Sequence, residues 1–354
     1  MISREQIQEF SKRLAIDEFT VIREYIQIVF LSILYSAKES QKIYFKGGTA
    51  IRLLLRSGRF SEDLDFTAEL GATELDEIVS GTVKKVSFVV PGLTLKRTSE
   101  GRCSYILYYQ TEDMKHPLTI DVDFSLREHP ETSHVTVLET DFPVAPQPII
   151  KHLDWPEVLA EKIRAFLTRP KDHKRGRDIY DLWFLLSKGV DLDWKMVNRK
   201  TSMYDIKTSS EDLLKKVGEF DAGKLKNDLG KFLPVHDRAL IEHLKELTTK
   251  QIVSRESFTI RTSENIEYSK VPGFLLPSRA EHTMDTKRMF IVSLERQDEN
   301  SIKANLQNEQ GNSGSGYIRA RTKNGVRELD VIEVDASLLK GQSYDDLLSY
   351  QFTS

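Results

Sequence analysis

The chain has 354 residues, more than one ordinary compact core accommodates, so we expect two or more domains. Hydrophobic residues make up 39% and charged residues 30%, which is typical of a soluble globular protein. The formal net charge is only −3, so any site for a polyanion must be local. The single cysteine, Cys103, excludes an intramolecular disulfide and a cysteine-cluster zinc site, and fits a reducing compartment.

No stretch of the sequence is apolar over the roughly 20 residues that a membrane-spanning helix needs. The start of the chain is charged and lacks the apolar core of a signal peptide. We therefore expect a cytoplasmic protein with no membrane partner.

Two helices are predicted at the start of the chain. Ser3 followed by Gln6 has the spacing of a capping box and opens a short helix that runs to about Leu14. A second helix begins after Asp17 and places apolar residues three and four positions apart, which predicts one buried stripe. The stripe consists of Phe19, Ile22, Ile26, Val29 and Ile33.

A series of strands follows. Residues 42–46 and 63–67 are predicted strands, separated by a glycine turn and a helix over 49–56. Further segments rich in β-branched and aromatic residues are predicted as strands, namely 86–90, 93–98, 104–110 and 118–126. Helices followed by consecutive strands favour an α+β fold with a mixed sheet over a doubly wound parallel sheet. Five prolines within residues 130–156 indicate a loop or crossover into a second region.

From Asp154 to about Lys250 the pattern is helical. Two helices have clear apolar faces, formed by Leu159, Ile163 and Phe166 and by Ile179, Leu182, Trp183 and Leu186. The remaining residues form Thr- and Val-rich short runs with a polar tract at 308–316, which predicts a small β-rich region with a flexible loop. We predict a first domain over 1–150, a helical domain over 151–250 and a β-rich C-terminal region over 251–354.

The sequence Lys-Gly-Gly-Thr-Ala at residues 46–50 stands between a predicted strand and a predicted helix. Two glycines let a ligand approach the backbone closely, and the start of a helix offers unpaired N–H groups and the positive end of the helix dipole. This geometry suits a triphosphate bound at Gly47, Gly48 and Thr49. The alternative is a plain strand-to-helix turn capped by Thr49.

Asp63 and Asp65 are predicted to share one face of a strand, because residues two apart point the same way. Like charges held this close favour a bound cation, and Mg²⁺ prefers carboxylate oxygens. The same Asp-Leu-Asp tripeptide at 191–193 follows Gly189, which instead predicts a helix C-cap and a new N-cap. Strand context and the upstream glycine turn therefore distinguish the first copy.

A second acidic strand is predicted at residues 118–124, where Asp121 and Asp123 alternate with apolar residues. If this strand neighbours the first, one of its carboxylates completes a three-acid, two-metal site. Asp121 and Asp123 project to the same side, so the alternation does not choose between them. The alternative is an edge strand whose acids face water.

The glycine turn, followed by Arg-Phe-Ser-Glu-Asp-Leu-Asp-Phe at residues 59–66, resembles the AbiEii/AbiGii family of toxin-like nucleotidyltransferases, and more distantly the polymerase β-type superfamily. Leu-Ala-Glu-Lys at 159–162 and Arg-Asp-Ile-Tyr-Asp-Leu at 177–182 resemble two further motifs of that family. The resemblance covers roughly residues 15–190. It implies a polymerase β-like nucleotidyltransferase core, with the catalytic domain over 1–150 and a helical domain over 151–250 that completes the nucleotide site.

The resemblance also implies roles for individual residues. Lys162 would contact the nucleotide phosphates, and Asp178 and Asp181 would support catalysis or the base pocket. The family's acidic pattern favours Asp121 over Asp123 as the third metal ligand.

Lys162 and the basic segment 169–177 can also be interpreted without the family resemblance. Lys162 lies beside the apolar face of its helix, from which it reaches a cleft edge or merely extends into water. The basic segment 169–177, which includes Arg177, suits a triphosphate or an RNA backbone, or is a solvated mobile loop. We assign Arg177 to nucleotide binding.

We expect transfer of a nucleoside monophosphate from an NTP to an acceptor hydroxyl, with Asp63, Asp65 and Asp121 holding two Mg²⁺ or Mn²⁺ ions. The resemblance implies a toxin that acts with a cognate antitoxin in growth control or phage defence and modifies tRNA. The alternatives are a protein hydroxyl as acceptor, and a nucleotide-binding regulatory module without turnover. Zinc-hydrolase, nucleophile-elbow and Walker motifs are missing from the sequence, which disfavours those classes.

Overall fold

The structure is a computed structural model that describes residues 1–98, 103–112, 114–170, 175–202, 204 and 206–254, and after these the backbone of seven strands. The chain divides into two compact units. The first comprises Met1–Thr208 and Lys216–Thr248, and the second comprises Ser209–Lys215 and Thr249–Ser354. Each unit is described by itself.

Ten α-helices lie in the described part of the chain. They are α1 (Arg4–Leu14), α2 (Glu18–Tyr35), α3 (Gly47–Leu54), α4 (Ala72–Val89), α5 (Trp155–Thr168), α6 (Gly176–Ser187), α7 (Trp194–Ser202), α8 (Ser210–Gly218), α9 (Ala222–Gly230) and α10 (Leu240–Ser254). The helical pattern predicted from Asp154 to about Lys250 is confirmed. Among these residues, no helix is long and apolar enough to cross a bilayer.

The first two helices begin where the sequence predicts. Ser3 and Gln6 form the reciprocal capping box of α1, and the side chain of Asp17 accepts a hydrogen bond from the backbone N–H of Thr20 at the start of α2. The predicted single stripe on α2 is wrong in one respect, because Phe19 is 44% exposed. Beyond its first turn α2 is buried on nearly every side, since α1, α4 and two strands of the sheet surround it.

The first unit is built on one seven-stranded sheet in the order β3-β4-β5-β2-β1-β7-β6. Its strands are β1 (Ile43–Lys46), β2 (Leu64–Ala68), β3 (Leu93–Arg97), β4 (Ser104–Tyr109), β5 (Leu118–Ser125), β6 (Ser133–Val137) and β7 (Ile149–Leu153). The β2–β5 and β1–β7 pairs are parallel and the others antiparallel, which confirms the predicted mixed sheet. β5 is an interior strand beside β2, so the edge-strand alternative is excluded.

Two predictions about this unit are wrong. Residues 86–90 are not a strand but the end of α4, because Leu75, Val79 and Val86 continue one buried helical face. The proline-rich segment 130–156 is not only a loop, since it contains β6 and β7. Its prolines lie outside both strands, which leaves the strand N–H groups free to pair.

Three aromatic rings from neighbouring strands hold the middle of the sheet together. The ring centroids of Phe45 and Phe66 are 5.3 Å apart, and those of Phe66 and Phe124 are 4.8 Å apart and stacked. Alternation along β2 and β5 then turns Asp65 and Asp123 to the opposite face. The buried rings thus decide which face of the sheet carries the acids.

The second unit contains a seven-stranded sheet in the order β10-β9-β8-β14-β13-β12-β11, which confirms the predicted β-rich C-terminal region. Its strands are β8 (Thr259–Arg261), β9 (Glu267–Val271), β10 (Phe274–Pro277), β11 (Met289–Arg296), β12 (Ser301–Asn308), β13 (Ser313–Lys323) and β14 (Val326–Val331). The ends of the polar tract 308–316 lie in β12 and β13. Its middle, where a flexible loop was predicted, is outside the described residues.

Candidate active site

Four carboxylates lie on one face of two adjacent parallel strands. Asp65 of β2 is directly opposite Asp123 of β5, and Leu64 is opposite Val122. Asp63 lies two residues before Asp65, and Asp121 lies two residues before Asp123. Because side chains two residues apart on a strand point the same way, all four carboxylates are directed to the same face of the sheet. The sequence left Asp121 and Asp123 as alternatives, and both are adjacent to the first acidic pair.

The carboxylates repel one another where they stand. Burial, followed by the charge of Asp63, raises the pKa of Asp65 to about 6, although Lys162 and Lys46 oppose the shift. Burial and the charge of Asp63 also raise the pKa of Asp121. Burial and neighbouring negative charge thus disfavour the ionised form of both carboxyls, and a bound cation would favour it.

The chemistry of this donor set fits Mg²⁺, which binds through one or two carboxylates together with oxygens of substrate phosphates. Within the described residues, no group of three or more His, Cys, Asp or Glu side chains is already arranged to hold an ion. Asp63 and Asp65 are the pair best placed to do so, because they lie beside the glycine turn. Asp121 or Asp123 would complete the set after a side-chain adjustment.

The glycine turn packs directly on these acids. Gly47 has a φ of +80°, and a Cβ added there would lie 2.1 Å from Oδ2 of Asp65. A Cβ on Gly48 would lie 2.5 Å from Nη2 of Arg59. The two glycines therefore permit α3 to begin against the acidic strand, with its unpaired N–H groups beside the carboxylates.

Thr49 is fully buried, and its hydroxyl donates to the backbone carbonyl of Asp63. This contact fixes the start of β2 relative to α3. The side chain of Thr49 lines neither cavity described below.

Lys162 reaches the site from α5 through a buried ion pair. Its Nζ is 2.7 Å from Oδ2 of Asp181, which is itself clamped by Arg59 through Nε at 2.8 Å and Nη2 at 2.9 Å. Burial opposes ionisation of Asp181, but the charges of Arg59 and Lys162 outweigh it and hold the pKa of this carboxyl below its usual range. Asp181 therefore orients two cations and is not open to solvent.

The other two residues of the α6 motif have different partners. Asp178 pairs with Arg169, and Nη1 of Arg177 lies 3.3 Å from a carboxylate oxygen of Glu62. Arg23 and Lys231 also approach Glu62, at 3.5 Å and 3.8 Å. The neighbourhood of Asp63 is thus rich in cations. Residues 171–174 of the predicted basic loop lie outside the described residues.

Two cavities meet at Asp65, Lys162 and Arg169, which line both of them. The smaller has a volume of about 70 Å³ and is lined almost entirely by charged and polar groups. Besides the three shared residues, the smaller cavity is lined by Gly48, Arg59, Ser61, Asp63, Arg175, Arg177, Asp178 and Asp181. The larger has a volume of about 240 Å³ and is lined on one side by Gly47 and Asp123. Asp121 lines neither cavity.

A buried ionic network that the sequence did not predict connects β1 to the helices. Nζ of Lys46 lies 2.9 Å from Glu161 and 3.0 Å from Glu128, and Nζ of Lys200 lies 2.8 Å from Glu157 and 3.3 Å from Glu161. Lys46 immediately precedes the glycine turn, and Glu161 immediately precedes Lys162. The sequence signal was only the adjacency of these charges to the motifs.

The family model described as "Nucleotidyl transferase AbiEii toxin, Type IV TA system" matches residues 30–259. No curated protein matches the chain.

Two solved structures match parts of this chain. MenT4, a nucleotidyltransferase toxin from Mycobacterium tuberculosis H37Rv, is 19% identical with a TM-score of 0.50, covering 71% of this chain and 89% of that chain. JHP933 from Helicobacter pylori is 21% identical with a TM-score of 0.40, covering 67% of this chain and 94% of that chain. The family match spans more than half of the sequence and includes both acidic strands, the glycine turn and the motifs of α5 and α6. The chain belongs to the AbiEii family of nucleotidyltransferase toxins.

Proposed function

We propose that this protein transfers a nucleoside monophosphate from an NTP to an acceptor hydroxyl and releases pyrophosphate. The observation that carries the proposal is the contact between the glycine turn and Asp65, with Lys162 beside them. It combines anion-binding backbone N–H groups, a cation and a metal-binding carboxylate within one small site.

The β- and γ-phosphates would occupy the smaller cavity. Gly48 lines this cavity, so its backbone N–H at the start of α3 would donate to phosphate oxygens, and Gly47 would do so from the adjoining larger cavity. Lys162 and Arg177 would neutralise the phosphate charge. Thr49, which is buried, would hold the start of β2 against α3. The cavity's charged lining supports this assignment, because it suits a phosphate and offers little to an apolar group. Asp181 and Asp178 would hold Lys162 and Arg169 toward the same ligand.

Asp63, Asp65 and Asp121 would hold Mg²⁺, which stabilises the charge on the transferring phosphoryl group and lowers the pKa of the acceptor hydroxyl. The acceptor oxygen would form its bond to the α-phosphorus while the bond from that phosphorus to the bridging oxygen of pyrophosphate breaks. Asp121 would take the hydroxyl proton.

We further propose tRNA as the acceptor, Mg²⁺ as the metal and a cognate antitoxin as a partner, in growth control or phage defence. The toxin family supports the antitoxin, while the tRNA acceptor rests on the family resemblance. The cytoplasmic setting expected from the sequence is consistent with both.

The test is incubation of the protein with each labelled NTP, Mg²⁺ and total cellular RNA. Asp63→Asn should abolish labelling. The matched control Asp191→Asn changes an exposed aspartate of the same tripeptide outside any helix or strand, and it should label as the wild type does. Full activity of Asp63→Asn would contradict the proposal.

Two other outcomes would redirect the proposal. Label on protein in place of RNA would identify a nucleotidylating enzyme that modifies side-chain hydroxyls. Calorimetry that shows NTP binding independent of Mg²⁺, without any transfer, would identify a regulatory nucleotide-binding module.

A further inference from the structure

The larger cavity has a definite position relative to the phosphate cavity. Because Asp65, Lys162 and Arg169 line both, a nucleotide whose α-phosphate lies at these shared residues has two directions in which to extend. Its triphosphate tail fills the small charged cavity, and the rest of the molecule enters the larger one. The larger volume, about 240 Å³, suits one nucleoside and not an oligonucleotide.

The lining of the larger cavity changes character away from Asp65. Val158 and Ala165 of α5 contribute apolar surface, and Tyr204 stands at the edge with 45% of its surface exposed. An exposed aromatic ring beside apolar side chains offers a flat surface on which a nucleobase stacks, and such stacking does not depend on base identity.

Arg164 supplies a hydrogen-bond donor that lacks a partner. Its Nη1 donates to the hydroxyl of Tyr204 at 3.0 Å, and its Nη2 lies 3.7 Å from Glu128, yet its Nε is buried with no hydrogen-bond partner. A buried N–H without an acceptor is costly, so a ligand oxygen or ring nitrogen placed there would be favoured. Glu128, held by Lys46 at 3.0 Å, adds an acceptor on the same wall.

We propose that this cavity binds a nucleoside, whose base stacks on Tyr204 and accepts a hydrogen bond from Arg164. The inference deepens the proposed function and rests on it, because it takes Asp65 and Lys162 as the position of the α-phosphate. The nucleoside has two possible sources, the NTP itself or the terminal residue of a polynucleotide acceptor, and both present the same chemistry.

The test measures NTP binding without turnover and, separately, the KM for the acceptor in the labelling assay. Calorimetry in Mg²⁺ with α,β-methylene NTPs, and separately with inorganic tripolyphosphate, should show that Tyr204→Leu weakens NTP binding about tenfold and leaves tripolyphosphate binding unchanged. Tyr204→Phe keeps the ring and should retain most of the NTP affinity. Tyr108→Leu, on β4 and lining neither cavity, is the matched control and should bind as the wild type does.

Each result either supports nucleoside binding in the larger cavity or rejects it. Reduced NTP affinity in Tyr204→Leu assigns the cavity to the nucleoside of the NTP, while an unchanged NTP affinity with a raised KM for the acceptor assigns it to the acceptor's terminal nucleoside. An unchanged NTP affinity together with an unchanged KM for the acceptor overturns the inference. If the wild-type protein binds NTP but labels no acceptor, the proposed transfer is contradicted. The calorimetric comparison of NTP with tripolyphosphate still tests the nucleoside site in that case.

Discussion

Gly47 has a backbone conformation on which the geometry of the candidate site depends directly. Its positive φ and its close contact with Asp65 leave no room for a side chain. Both features arise because α3 begins directly against the strand that carries Asp65. Its neighbour Gly48 packs in the same way on Arg59, which holds Asp181 and through it Lys162. Two missing side chains thus keep the candidate site compact.

Gly47→Ala should therefore lower the free energy of unfolding by about 1–2 kcal/mol and remove nucleotidyl transfer, because alanine is strained at this φ and its Cβ displaces Asp65. Chemical denaturation and labelling with NTP measure the two effects. The matched control is Gly81→Ala in α4, where a Cβ meets nothing within 4 Å. It should add about 0.5–1 kcal/mol of stability and keep activity. An active, stable Gly47→Ala protein would contradict this account of the turn.

At the scale of elements, α5 is held on the sheet by charge as well as by apolar contact. Leu159, Ile163 and Phe166 bury one face, as predicted, while Glu161 joins Lys46 of β1 to Lys200 of α7. This network determines where α5 sits along the end of β1. The position of Lys162, one residue further, follows from it.

The network predicts a pH dependence of stability. Burial alone would raise the pKa of Glu161, but the charges of Lys46 and Lys200, with the side-chain hydrogen bonds, lower it to about 2. A depressed carboxyl pKa contributes stability that is fully present above the unfolded value, about 4.5, and is lost as pH falls toward the folded value.

Denaturation of wild type and Glu161→Gln between pH 7 and pH 3 measures this contribution. The difference in unfolding free energy should be constant above about pH 5 and should shrink as the solution becomes more acidic. Glu139→Gln, whose partner Arg56 is exposed, should show no such trend. A difference that stays constant down to pH 3 would mean that Glu161 is not held ionised by the network.

At the scale of the whole molecule, every candidate site residue and both cavities lie in the first compact unit. The division into a catalytic, a helical and a β-rich region remains our proposal for how the chain is organised.

A chain ending at residue 254 should therefore fold, bind NTP with unchanged affinity and label its acceptor at the wild-type rate. Calorimetry and the labelling assay test this directly, and circular dichroism confirms that the shortened protein is folded. Folded but inactive protein would show that the C-terminal region takes part in the reaction.

Local patterns were sufficient to predict several features from the sequence alone. The capping box at Ser3, the acidic alternation on β2 and β5 and the apolar faces of α5 and α6 depend on spacing within one segment, and all are confirmed. The second Asp-Leu-Asp was also distinguished correctly, since Asp193 caps α7 by accepting from the N–H groups of Lys195 and Met196.

Only the tertiary structure decided the rest, because it depends on residues far apart in sequence. The pairing of β2 with β5, the burial of Asp181 between Arg59 and Lys162, and the Lys46–Glu161 network each join segments that no local pattern relates. The error at 86–90 has the same origin: β-branched residues favour a strand in isolation, but burial of one helical face of α4 outweighs that preference. Sequence spacing determined which face of each element carries chemistry, and long-range packing determined which of those faces meet.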